Sequence, residues 1–287
     1  MGRVLEKSRT FAIGPARASY AVVRASALLF TNMNPAMQTT PQSSPQSSPP
    51  TQPQAIASQV FKGALLSLVA GYVDVVGFIA LFGLFTAHVT GNFVMLGVAL
   101  AHATGGVLSK LLALPVFALS VATTKIAVDA MQARGRPPLP PLLVTQGLLL
   151  AAFMLAGCLA SPMASPDMPS AIATGMLGVA AMAVQNAQSR IVLTDHVPTT
   201  IMTGNSTQVI IDLVELRSAS ADKVAAAKNR LRKMVPAIAA FAAGAVSGAY
   251  AYVQASYWCL AVPILILLAL AYSYRAGPAA SLAGRQA

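Results

Sequence analysis

From Ala55 onward the chain alternates long apolar runs with short polar breaks. Runs long enough to cross roughly 30 Å of hydrocarbon lie at about 60–82, 108–131, 140–160, 170–192, 234–253 and 256–274. Two further segments, about 87–104 and 200–216, open on a repeated Thr-Gly-Asn triplet. The second carries Asp212 and Glu215 and is too polar to face lipid, so it reads as a half-helix, re-entrant or interfacial segment. The first passes for a span on hydropathy alone. The pattern predicts an all-α membrane protein with about six transmembrane helices and two half or re-entrant helices.

Basic residues decide the number of crossings. The loop after the second triplet holds Arg217, Lys223, Lys228, Arg230, Arg232 and Lys233 against one Asp222, which places it in the cytoplasm by the positive-inside rule. With six crossings Arg134, Arg136, Arg190 and Arg275 also fall inside, the charge-poor loops 161–169 and 254–256 fall outside, and only Lys110 is misplaced. If both triplet segments crossed as well, Arg134, Arg136 and Arg190 would move outside and only Lys110 would be corrected. Six crossings with both termini cytoplasmic is the expectation. Tyr250, Tyr252, Tyr257 and Trp258 at the outer turn, with Tyr272 and Tyr274 before Arg275, are expected to form interfacial belts.

The triplets Thr90-Gly91-Asn92 and Thr203-Gly204-Asn205 are offset by 113 positions, each preceded by small or hydroxyl residues, Thr86-Ala87 and Thr199-Thr200. Polar side chains stand upstream of both: Asp74 in the first copy and Gln185 or Asn186 in the second, one or two residues out of register. This predicts two membrane repeats, 56–160 and 161–276, followed by a short tail at 277–287. Three crossings per repeat is an odd number, so the second repeat is expected to be inverted.

Composition agrees with this class. The chain is 56% hydrophobic and 9% charged with mean hydropathy +0.66, too little polar surface for a soluble globule of 287 residues. The net charge of +11 would suggest nucleic acid in a soluble protein, but here Lys and Arg sit at the ends of apolar runs, so no nucleic-acid partner is expected. Residues 1–55 differ. Five Arg or Lys precede position 25 and a Pro/Gln/Ser tract runs from Gln38 to Gln54, which reads as a disordered cytoplasmic tail, or as a mis-annotated start if translation begins at Met33 or Met37. Cys158 and Cys259 lie inside apolar runs and imply neither a disulfide framework nor a metal set.

Candidate chemistry gathers around the triplets. Gly63, Ser67 and Gly71 recur every four residues, and Asp74 lies on that same side, between Gly71 and Gly77, so it is expected to face protein. An ionisable group at such a depth is a site hypothesis by default, as a coupling or substrate group; the alternative is a structural carboxylate. Thr90, Gly91, Asn92, Thr203, Gly204 and Asn205 read either as helix caps alone or as caps whose free N–H groups also contact a ligand. Gln185 and Asn186 are candidate ligand groups across the pseudo-axis, and His88 is a candidate proton carrier, although Ile201 stands at its counterpart. Lys125 and Asp129 are spaced to pair on one helix face, and Gly244 and Gly248 give a GxxxG packing surface. No nucleophile elbow, phosphate loop or metal-ligand cluster is present, so no enzyme activity, catalytic residue, cofactor or metal is expected.

The string Ala70-Gly71-Tyr72-Val73-Asp74-Val75-Val76-Gly77-Phe78, then Ala87 to Asn92, Gln185-Asn186-Ala187 and Thr199 to Asn205, resembles the YoaK family, also known as DUF1275. The resemblance covers roughly residues 58–275. It implies a polytopic bacterial inner-membrane protein of about six spans and implies no activity. The expected partners are the lipid bilayer and a small solute of unknown identity, with room for a homo-oligomer. The leading expectation is a secondary transporter or permease with its site between the two triplets, against a non-transporting scaffold or regulatory partner. A cavity touching both triplets favours the first, and a dry, closed bundle favours the second.

Overall fold

The computed structural model describes residues 53–194, 196–218 and 220–276. Positions 1–52 of the expected tail, and the expected tail at 277–287, lie outside the described residues. The elements are α1 (Pro53–Ala80), α2 (Gly91–Ala101), α3 (Val107–Ala133), α4 (Leu139–Ala160), α5 (Pro169–Ile191), α6 (Met202–Glu215), α7 (Ala221–Ala255), a 3-10 turn (Ser256–Leu260) and α8 (Ala261–Ala276). No strand occurs among the described residues.

The helix ends follow from local chemistry. Prolines open α4 and α5 in the first turn, where a missing N–H costs nothing. Gly106 and Gly135 take positive φ (83° and 65°) on either side of α3. Helix α7 begins well before the apolar run predicted at 234, because Ala221–Lys233 is rich in alanine, lysine and arginine, all good helix formers, and Asp222 lies favourably in its first turn. Hydropathy is blind to that extension.

Among the described residues five helical stretches are long and apolar enough to cross a membrane: Ala57–Ala80, Val107–Ala133, Leu139–Ala160, Pro169–Ile191 and Ala221–Arg275. The last, 55 residues long, is interrupted at Ser256, whose φ of 47° starts the 3-10 turn. Helix α2, at 11 residues, and α6, at 14, are too short to cross alone.

Residue pairs fix the helix directions. Helices α1 and α7 run parallel and very close: a methyl group on Gly71 would lie 2.1 Å from the Phe241 carbonyl oxygen, one on Gly244 would lie 2.1 Å from that of Leu68, and Gly248 abuts Tyr72. The predicted small-residue surfaces are therefore packing surfaces, except that Gly63 meets no helix backbone. Helix α8 runs antiparallel to α1, with the Tyr72 hydroxyl donating to the Cys259 carbonyl at 2.9 Å and the Lys62 ammonium 4.0 Å above the Tyr274 ring. Gly157 against Tyr257 and Gly147 against Leu268 set α4 antiparallel to α8. Gln146–Gln185 and Phe153–Gly178 contacts close an α4–α5 hairpin. Gly105 against Asp167, and Val128 with Val184 in one apolar cluster, set α3 parallel to α5.

Four charged groups and one aromatic acquire their roles from this packing. Lys110, the one basic residue at odds with the charge pattern, is buried, its ammonium donating to the carbonyls of Gly106 (3.3 Å) and Phe82 (3.4 Å), so it is spent internally. Asp212 on α6 is fully buried and held by Arg230 of α7 at 2.7 Å, which also reaches Glu215 at 2.9 Å; the polarity of this segment thus serves α6–α7 docking. Tyr257 corrects the expected outer belt: it is buried against Gly157 and edge-on to Phe153, while Tyr250 and Trp258 are exposed. The room that Gly157 leaves on a distant helix decides this.

Candidate functional site

The chain reverses after α1 through Phe82 (φ 56°) and Gly83 (φ 81°), and residues 84–88 return alongside the last turns of the helix they have just left. Gly77 makes the space, since a methyl group there would lie 2.6 Å from the Thr86 methyl. Asp74, buried on the same side, receives this loop. Its Oδ1 accepts from the backbone N–H of Thr86 (2.9 Å) and Ala87 (2.7 Å), and its Oδ2 lies 2.6 Å from Nδ1 of His88. The backbone N–H of His88 adds a longer contact to Oδ1 at 3.4 Å, so the carboxylate is satisfied by three backbone donors and an imidazole.

The triplet asparagines do a related job. Asn92 is buried; its Oδ1 accepts from the Phe85 N–H at 2.9 Å and its Nδ2 donates to the Phe85 carbonyl at 2.8 Å. At the same offset of 113, buried Asn205 donates to the Pro198 carbonyl at 2.8 Å. Proline has no N–H, so the second half of the bidentate pair is absent there. Neither Thr90 nor any triplet side chain makes a cap hydrogen bond to its helix. Capping, the expected role, is replaced by pinning: the asparagine ties the re-entering loop to the half-helix that follows.

In the second copy amides replace the carboxylate. Gln185 is fully buried, donating to the Leu66 carbonyl (2.7 Å) and to the Thr199 hydroxyl (3.0 Å), and accepting from Gln146 at 2.7 Å. Asn186 accepts from the Thr200 hydroxyl at 2.6 Å. Gln146 was not a candidate from sequence, since it sits singly in an apolar run; Thr86 and Thr199 were visible only as flanking hydroxyl residues at the 113 offset.

These loops bring both triplets to one cleft of about 420 Å³, bordered by Ala87–Thr90 of the first loop, Asn186 of α5, Thr200–Thr203 of the second, and Leu114 and Phe117 of α3. Of the sequence candidates it gathers His88, Thr90, Asn186 and Thr203. Asp74 and Gly91 border a neighbouring cleft of about 480 Å³ with Gly71, Phe78, Phe85 and Phe241, and His88 and Thr90 stand between the two. Asn92, Gln185, Gly204 and Asn205 border neither. The shared cleft carries hydroxyls, one amide and one imidazole but no Lys, Arg, Asp or Glu. Among the described residues no group of three or more His, Cys, Asp or Glu is placed to hold a metal ion.

Residues 63–273, which contain both loops and both half-helices, match the family model described as "Protein of unknown function (DUF1275)". The chain belongs to this family. No curated protein and no solved structure matches it. The DUF1275 match thus begins on α1 before Asp74 and ends on α8, so the whole candidate site falls within it.

Proposed function

We propose that this DUF1275 protein is a multi-pass permease of the bacterial inner membrane that carries a small solute through the cleft between its two Thr-Gly-Asn loops. The carrying observation is that residues of both loops, about a hundred positions apart in sequence, border one cleft of about 420 Å³ whose largely apolar lining also holds hydroxyl, amide and imidazole groups. Sites at the junction of two repeats, made by interrupted helices, are the usual solution for secondary transporters. Under this reading the Ser256 turn divides the last apolar stretch into two crossings, giving six in all with both termini cytoplasmic, and the protein has no enzymatic step.

An inverted repeat is part of the proposal, and two register matches support it. Asn92–Phe85 corresponds to Asn205–Pro198, and Gly71–Phe241 corresponds to Val184–Val128, each at an offset of 113. The second pair exchanges partners between halves, as a two-fold relation requires. Helices α1 and α7 are parallel, as are α3 and α5.

A second reading, a non-transporting scaffold, is favoured by one observation: Asp74, Asn92 and Gln185 spend their polar atoms on neighbouring backbone or side chains, and Asn205 spends its amide nitrogen likewise. A thermal-shift screen of small solutes on purified protein separates the two, because any ligand of the folded state stabilises it by mass action. The permease reading expects a stabilising solute whose effect is lost in Thr90→Val/Thr203→Val, a double variant of two exposed cleft residues, and whose uptake into proteoliposomes is lost with it. Solute shifts indifferent to that variant, or no uptake by a stable wild-type protein, support the scaffold.

A further inference from the structure

We infer that the outer face of α3 is the contact surface for a second copy of this chain, centred on Lys125 and Asp129. Among the candidate spans Val107–Ala133 is the least covered, with only 17% of its apolar window buried. Its covered side turns Ala113, Thr124 and Val128 toward the neighbouring helices. On the opposite side Leu111, Pro115, Ala118, Ala122, Lys125 and Asp129 follow one another at helical spacing, and all six are exposed. Lys125 and Asp129 pair with each other at 2.6 Å, yet their side chains are 52% and 55% exposed. They lie about 12 Å and 6 Å from the end of the helix at Ala133.

An ion pair turned toward acyl chains is costly unless something polar covers it. The charges themselves say what covers it. In a pair of copies related by a two-fold axis along the membrane normal, equivalent residues share one depth, so the ammonium of one copy meets the carboxylate of the other one turn away, and each charge gains a second partner of opposite sign. The small side chains Pro115, Ala118 and Ala122 just before the pair let two such helices approach closely. The face is self-complementary, which a lipid or an unrelated helix is not. This surface lies on the side of α3 away from the cleft residues' neighbours on α5, and the inference does not depend on the permease reading.

The test is oxidative cross-linking of full-length protein in native membranes with one added cysteine at Ala122→Cys. The expected result is a disulfide-linked dimer, absent from the wild type and from Leu148→Cys, an exposed position on α4. Adding Asp129→Lys should remove the cross-linked band, and the swapped pair Lys125→Asp with Asp129→Lys should restore it; thermal melting of each purified variant, and Asp129→Asn as a milder change, guard against misfolding. A folded Ala122→Cys protein that stays monomeric overturns the inference. So does equal cross-linking at Leu148, or a cross-link that survives Asp129→Lys.

Discussion

Asn92 and Phe85 are joined by two reciprocal hydrogen bonds, the Phe85 N–H donating to Asn92 Oδ1 at 2.9 Å and Asn92 Nδ2 donating to the Phe85 carbonyl at 2.8 Å. Asn205 makes only the second of these, to the carbonyl of Pro198 at 2.8 Å. One asparagine fastens each re-entering loop, but with different strength, because the second copy has a proline where a donor is needed.

That asymmetry predicts an unequal pair of variants. Asn92→Ala strands a donor and an acceptor in a buried place, at about 1–3 kcal/mol for each unsatisfied group. Asn205→Ala strands one acceptor. Thermal melting in detergent should therefore show the larger drop for Asn92→Ala, and equal drops would count against pinning as the role of the motif.

Asp74 is bound by the loop it holds, so its removal and its neutralisation should differ. Asp74→Ala leaves the Thr86 and Ala87 N–H groups without an acceptor and should destabilise by about 1–3 kcal/mol per donor. Asp74→Asn keeps the Oδ1 acceptor, and its amide donates to Nδ1 of His88 in the other tautomer, so its melting point should stay near that of the wild type. If Asp74→Asn also keeps full solute binding, the charge has no part in the mechanism. If it melts as early as Asp74→Ala, the negative charge itself holds the loop.

The apolar runs located the long helices, and the Thr-Gly-Asn triplets located both half-helices to within a few residues, since hydropathy and turn chemistry are local signals. The spacing of Gly71, Asp74 and Gly77 puts all three on one side of α1, and that side faces packed protein. The direction in which an asparagine side chain points is not local. A cap and a pin are the same letter at the same place, and only the reversal at Phe82-Gly83 brings Phe85 within reach of Asn92. The burial of Tyr257, and the place of Lys110 outside the charge pattern, are not local either: they are decided by Gly157 and by Phe82, on other segments of the chain.

The close parallel contact of α1 and α7 makes a graded glycine series informative. In Gly244→Ala the new methyl group would lie 2.1 Å from the Leu68 carbonyl oxygen, and backbone on both sides cannot yield as a flexible side chain would. Overpacking of this kind costs about 1–3 kcal/mol. Gly97→Ala, with nothing within 4 Å, should be neutral or slightly stabilising because alanine favours the helix. A Gly244→Ala protein as stable as Gly97→Ala would show that the α1–α7 contact is looser than this geometry.

The six-crossing proposal makes the α3–α4 turn cytoplasmic, and a labelling experiment can decide it. Gly135 is a poor place for a probe, because its φ of 65° disfavours any side chain. Arg136 is exposed beside it and tolerates Cys without that strain. With six crossings, Arg136→Cys should resist an impermeant thiol reagent added outside intact cells and react once the membrane is opened. Reaction from outside would put both half-helices across the bilayer, make eight crossings and turn the inverted repeat into a parallel one. Helices α4 and α8 would then run the same way across the bilayer, whereas the Gly157–Tyr257 and Gly147–Leu268 contacts set them antiparallel, so the packing itself would be overturned.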